Sequence, residues 1–138
     1  MFDLSVVTPD KIIFEDKVLS ITVPGAAGYL GILSNHAPVI TSLQPGLLTI
    51  TEKNGNTLFY AVSGGFMEVS FNQATLLADA VEPSGEIDLT RAENARRRAF
   101  EMIQGNIPGL DLPRAKYALT RAENRIRISG RPEGKKAS

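Results

Sequence analysis

Arginine carries most of the chemical potential of this chain. All nine arginines lie at or after Arg91. Arg91 and Arg98 fall in one run of helical spacing, Arg121 and Arg125 in a second. A guanidinium fork can hold two oxygens of a phosphate or carboxylate at once. The hexapeptide Leu-Thr-Arg-Ala-Glu-Asn occurs at 89–94 and again at 119–124. Two copies do not make a solenoid, and the repeat reads first as a good helical segment used twice. If the runs fold back on each other around residue 108, the start of the first meets the end of the second. Arg91 then lies near Arg121 and Arg125, with Arg98 one to two turns away. Guanidiniums gathered in this way repel unless an anion or carboxylate joins them. The chemistry is phosphate binding, or a solvated basic face paired with Glu93, Glu101 and Glu123. Spacing alone leaves both open.

Other chemistry is scarce. With no Cys in 138 residues, disulfides, thiolate nucleophiles and Cys-ligated zinc are excluded. His36 is the sole His, too few for a His-based metal site. It stands in Ser34-Asn35-His36-Ala37-Pro38, a turn before a strand, with no nucleophile elbow or triad partner in view. It reads as a hydrogen-bonded turn residue or an interface contact. Gly25-Ala26-Ala27-Gly28-Tyr29-Leu30-Gly31 is glycine-rich but lacks the Gly-Lys-Ser/Thr ending of a phosphate loop. Gly64-Gly65 reads as a turn or a close backbone approach. Glu15-Asp16 reads as a solvated pair in a loop. No catalytic or metal constellation emerges, so no enzyme activity and no required cofactor are expected. No apolar run approaches the ~18 residues of a membrane span, and the start carries no signal pattern. A soluble, cytoplasmic chain is expected.

The arginines need a scaffold, and charge marks its division. Residues 1–82 carry three Lys, no Arg and eight acids, a net −5; residues 83–138 carry twelve Lys plus Arg and seven acids, a net +5. Two modules with different jobs follow, joined at Pro83-Ser84-Gly85. The first, 1–84, reads as strands Phe2–Val7, Lys11–Phe14, Val18–Val23, Tyr29–Leu33, Val39–Leu43, Leu47–Thr51, Thr57–Val62, Phe66–Ser70 and Ala74–Ala78. Many short strands at close spacing predict a sandwich or barrel. Leu19, Ile21 and Val23 alternate with Ser20 and Thr22, which predicts one apolar face. Asn54-Gly55 predicts a two-residue turn with both φ positive, and Asn72-Gln73 a second turn. The second module, 85–128, reads as an antiparallel two-helix hairpin. Asp88 and Asp111 are expected N-caps, with Pro113 tolerated in a first turn. Its facing positions are largely Ala, so docking on the sandwich is expected to be thin and to rest partly on surface ion pairs. Residues 129–138 read as a disordered tail.

Three stretches resemble one family, the epsilon subunit of the F-type ATP synthase. They are Gly31-Ile32-Leu33-Ser34-Asn35-His36-Ala37-Pro38 with Leu43-Gln44-Pro45-Gly46, then Ser63-Gly64-Gly65-Phe66-Met67-Glu68-Val69, then Leu77-Ala78-Asp79-Ala80 followed by Ile87-Asp88-Leu89-Thr90-Arg91-Ala92. Val6-Val7-Thr8-Pro9-Asp10 also fits. The resemblance implies a mainly β protein with α: a ten-stranded β-sandwich, then a two-helix hairpin. It implies a non-catalytic rotor subunit of the central stalk, coupling proton flow to ATP synthesis. Partners would be the gamma subunit and the ring of c subunits. The alpha and beta subunits would join them when the hairpin extends to inhibit hydrolysis. Association with the membrane would come only through the complex, on the cytoplasmic face of a bacterial plasma membrane, or on the thylakoid in a plastid.

ATP-binding members of that family carry Ile/Leu-Asp-x-x-Arg-Ala. The motif stands here as Ile87, Asp88, Arg91 and Ala92, with Glu82, Arg98, Arg121 and Arg125 at the supporting positions. By resemblance, Glu82 and the segment around Asp88 face base and ribose, and the arginines face phosphates. ATP would act as a regulatory ligand. Gamma and c-ring contacts are expected around Tyr29, Leu33 and His36, although Tyr29 stands where relatives commonly have a polar residue. The tail after Ile128 departs from the usual helical ending. The competing reading is a stand-alone module whose Arg-rich hairpin holds RNA or an acidic partner. No aromatics interleave those arginines for base stacking, so no nucleic-acid partner is expected.

Overall fold

The computed structural model describes residues 1–134. Among them, nine strands precede two helices. The strands are β1 (Phe2–Val7), β2 (Ile12–Gly25), β3 (Gly28–Leu33), β4 (Val39–Ser42), β5 (Gly46–Glu52), β6 (Thr57–Ser63), β7 (Phe66–Ser70), β8 (Gln73–Leu77) and β9 (Ala80–Pro83). The helices are α1 (Leu89–Gln104) and α2 (Leu112–Ile128). The fold is a β-sandwich followed by a helical hairpin.

β2 explains the strand count. It is 14 residues long and joins the two runs expected at Lys11–Phe14 and Val18–Val23. Glu15 and Asp16 lie in its middle, paired with Ser5 and Leu4 of β1, rather than in a loop. They are exposed, so a solvated strand face reads like a loop in sequence. The first half of β2 pairs with β1; the second half pairs with β3 and β5. One layer is therefore β4-β7-β8-β1-β2, and the other is β3-β2-β5-β6-β9. Each has five strands, and the ten implied by the resemblance are recovered when the halves of β2 count separately. All pairings are antiparallel except β1 with β8.

The change of layer needs a bulge. Between Val18 and Ser20 the register against β5 shifts by one, leaving Leu19 as the extra residue. Leu19 is turned outward, and Val18 takes the inward position with Ile21 and Val23. The expected face of Leu19, Ile21 and Val23 is thus corrected at its first member. These residues meet Leu4 and Val6 of β1, Leu48 and Ile50 of β5, Met67 of β7 and Leu76 of β8 in one core. Each such burial contributes roughly 1.5–3 kcal/mol.

Two turns also differ from expectation. Of Asn54-Gly55 only Gly55 has positive φ, in a four-residue loop closed by Glu52 N–H donating to Asn56 C=O at 2.8 Å. The two-residue turn with both φ positive is instead Phe71-Asn72, at 49° and 58°, between β7 and β8. Gly65, at φ 89°, is a true close approach: a Cβ there would overlap the Leu77 carbonyl.

Asp88 and Asp111 cap the helices as expected. Their carboxylates accept from Arg91 N–H at 3.0 Å and Arg114 N–H at 3.1 Å. Ala92, Ala99, Ala115 and Ala122 are buried between the helices, where small side chains permit close approach. The hairpin docks through α2 on β5 and β6. Ile128 joins Ile87, Ala61 and Leu47 in a second apolar cluster. Asn124, only 2% exposed, donates from Nδ2 to Gly46 C=O at 3.0 Å. Docking therefore rests on an apolar seam and a buried amide as well as on one ion pair.

The chain beyond α2 turns back to the sandwich. Gly130 N–H donates to Ser84 C=O, Ser84 Oγ donates to Arg131 C=O at 2.6 Å, and the Arg131 guanidinium sits 4.4 Å from the Phe59 ring centre. Gly134 bridges Thr57. Of the tail expected over 129–138, residues 135–138 lie outside the described residues.

Candidate functional site: an arginine-lined cleft

Capping fixes where each helix starts, and so which side chains share a face. From the Asp88 cap, Arg91, Ala95, Arg98 and Met102 fall on one stripe of α1. From the Asp111 cap, Arg114, Ala118, Arg121 and Arg125 fall on one stripe of α2. Both stripes line a cleft of about 1210 Å³ between the hairpin and the sandwich. Its floor is Tyr60–Ser63 of β6 and residues 79–83, which include β9.

The cleft contains acids as well: Asp10, Asp79, Glu82, Glu86 and Asp111. Asp111 is committed to its helix cap. Glu82 holds Arg125 in a two-pronged pair, Nε to Oε1 at 2.8 Å and Nη2 to Oε2 at 3.2 Å. Arg91, Arg98, Arg114 and Arg121 have no carboxylate partner among the described residues. Arg121 lies over the Tyr117 ring at 5.3 Å. Glu93, Glu101 and Glu123 are exposed and form no ion pair with a described residue. The basic face is therefore not neutralised by the helices' own acids. Such a face is able to bind an anion, since a guanidinium without a carboxylate can take two oxygens of a phosphate.

Of the eight residues expected at a nucleotide site, Glu82, Arg91, Arg98, Arg121 and Arg125 line this cleft. The other three serve the scaffold. Ile87 is a member of the seam cluster, Asp88 spends its carboxylate on the cap, and Ala92 is buried between the helices. Arg114 was not expected there. Its signal was present: it is the third residue after a capping Asp, on the stripe of Arg121. No group of three or more His, Cys, Asp or Glu among the described residues could hold a metal.

The second expected surface is apolar. β3 carries Tyr29, 58% exposed, at one end and the exposed Leu33 at the other. His36 Nδ1 lies 2.7 Å from Ala37 C=O, which makes it a turn residue beside Leu33. Sequence reading missed Phe71, Met1 and Ile40, all exposed. Asn72 ties Phe71 and Met1 to the His36 turn. Its Oδ1 accepts from Asn35 N–H at 2.8 Å and its Nδ2 donates to Met1 C=O at 3.0 Å. A wholly exposed Phe at positive φ is the signal, visible only once the turn is known.

Comparisons with known proteins agree with this architecture. Residues 1–84 match the family model described as ATP synthase, Delta/Epsilon chain, beta-sandwich domain. Residues 86–130 match the model of the long alpha-helix domain of the same chain. The ATP synthase epsilon chain of Moorella thermoacetica is 41% identical over 128 residues, covering 93% of this chain and 96% of that one. That of Pelotomaculum thermopropionicum is 49% identical over 100 residues, covering 72% and 74%. Among solved structures, a chain of the Euglena gracilis mitochondrial ATP synthase (OSCP/F1/c-ring) matches with a TM-score of 0.78 at 25% identity, covering 88% of this chain and 76% of that one. No helix among the described residues is long and apolar enough to cross a membrane. Two domain models in order along the chain, and relatives of that identity over nearly its whole length, carry one conclusion: it belongs to the epsilon chain family of the F-type ATP synthase, as a non-catalytic subunit.

Proposed function

We propose that this chain is a central-stalk rotor subunit whose hairpin is a nucleotide-sensing regulator of ATP hydrolysis. The sandwich attaches it to the gamma subunit and the c ring through the surface of Tyr29, Leu33 and His36, extended by Phe71. The hairpin contacts alpha and beta when it opens. The assembly sits on the cytoplasmic face of a bacterial plasma membrane.

The observation that carries the regulatory part is the cleft. Four arginines without carboxylate partners face a cavity whose roof is the hairpin and whose floor is the sandwich. A ligand there touches both modules, so it binds the docked hairpin and not the extended one. Arg91, Arg98 and Arg121 are suited to the phosphates, with Arg114 beside them. Arg125 is held by Glu82 and sets the depth of the site. At about 1210 Å³ the cleft is larger than the usual ligand pocket of about 300–1,000 Å³, so a nucleotide fits with room to spare. MgATP at a hundred times its Kd adds about 2.7 kcal/mol to the docked form. That suffices to bias an interface made of one seam, one buried amide and one ion pair.

Titration of MgATP into the isolated chain by calorimetry tests this. Saturable binding that Arg91→Ala and Arg121→Ala both weaken is the expected result. No heat at millimolar ATP overturns the nucleotide part and leaves family membership untouched.

A further inference from the structure

Two side chains from distant parts of the chain hold one peptide group. Leu47 N–H donates to the Tyr29 hydroxyl oxygen at 2.9 Å. The carbonyl of the same peptide, Gly46 C=O, accepts from Asn124 Nδ2 at 3.0 Å. Tyr29 belongs to β3, the peptide opens β5, and Asn124 is on α2. The seat is tight, because a Cβ on Gly46 would come within 2.5 Å of Pro24 Cβ and 2.8 Å of the Tyr29 hydroxyl. Asn124 is fixed from its other side by Arg127, whose Nη2 donates to Oδ1 at 3.1 Å. Hydrogen bonds on the two sides of one amide polarise it and strengthen each other. The ring of Tyr29, by contrast, stands largely in solvent.

We propose that Tyr29 is a positioning residue for the hairpin, coupled to Asn124 through the Gly46–Leu47 peptide. A protein surface seated on the Tyr29 ring, with its hydroxyl kept on Leu47, then favours the docked hairpin. The partner step rests on the rotor reading; the coupling does not, and is measurable in the isolated chain. Tyr29 thereby links the surface expected to meet the stalk with the module expected to regulate it.

A double-mutant cycle of Tyr29→Phe and Asn124→Ala in the full chain is the test, read by hydrogen exchange of residues 112–128. Tyr29→Phe removes one hydroxyl and keeps the exposed ring. It is expected to speed α2 exchange by about threefold or more, and Asn124→Ala by more than that. The double variant should fall short of the product of the two effects by about threefold or more. Unchanged protection of residues 73–77, in the layer away from the hairpin, shows that the sandwich is intact. If Asn124→Ala leaves no docked hairpin, Asn124→Ser takes its place. Wild-type α2 exchange in Tyr29→Phe, or effects that multiply within about twofold, overturns the inference. Lost coupling with intact gamma binding sinks this inference alone. Coupling in a chain that does not bind gamma sinks the rotor reading alone.

Discussion

Replacing Glu82 by Gln tests how far charge fastens the hairpin. The carboxylate of β9 meets the Arg125 guanidinium of α2 at 2.8 and 3.2 Å, a two-pronged geometry with directional strength. The side chains keep 27% exposure for Arg125 and 33% for Glu82. A fully exposed pair is worth about 0–1 kcal/mol, whereas removing one partner of a buried pair costs about 3–5 kcal/mol. A two-thirds-covered pair with good geometry falls between, at about 1–2 kcal/mol. The docked-to-undocked ratio should drop about 5- to 30-fold. Hydrogen exchange of 112–128, referenced to 73–77 in the far layer and measured without nucleotide, reads this directly. Exposed charges are screened over about 10 Å at 0.1 M salt, but a covered pair is screened less. The effect should therefore survive at about 0.5 M salt. Unchanged α2 protection at low and high salt would refute the reasoning. It would mean that the Ile87–Ile128 seam and Asn124 hold the hairpin without help from charge.

Other outcomes follow from single side chains. Asp88→Ala should cost about 1 kcal/mol of α1 stability and deprotect its first-turn amides, while Asp88→Ser keeps most of the cap. Gly65→Ala combines positive φ with overlap on the Leu77 carbonyl, and should lower the unfolding free energy in urea by more than about 2 kcal/mol. Burial, with Glu133, Glu52 and Glu86 nearby, holds the Tyr60 pKa above its ordinary 10.0. The folded form then keeps this proton more tightly, so the contribution is intact below pH 10.0 and is lost as pH rises through the raised folded value. Alkaline unfolding followed by circular dichroism should flatten in Tyr60→Phe.

Much of this fold was legible because it is local. The charge break at residue 82, the caps at Asp88 and Asp111, and the alanines of the hairpin are set by neighbours in sequence. The bulge at Leu19 was not legible, because it arises where β2 exchanges β1 for β5 as its partner. β9 was missed because Ala80–Pro83 is too short and polar to show a pattern. The turn at Phe71-Asn72 carries a residue that disfavours positive φ, so propensity pointed one residue later. The meeting of arginines on one cleft followed from the hairpin geometry alone. Asn124 could not be found that way. Its sequence context matches that of the exposed Asn94, and only the approach of Gly46 separates them.

The double membership of β2 has a mechanical consequence. Layers joined only by side-chain packing can slide under a sideways load, breaking weak contacts a few at a time. Here one unbroken backbone runs from Ile12 in the first layer to Gly25 in the second. To slide one layer past the other, a shearing force must first strip the backbone hydrogen bonds that hold β2 to β1 on one side or to β3 and β5 on the other. Sliding of the layers is thus resisted by a hydrogen-bonded ladder as well as by side-chain packing. Compliance is left to the short connector between β9 and α1, where only Ser84–Asp88 joins the two modules along the chain.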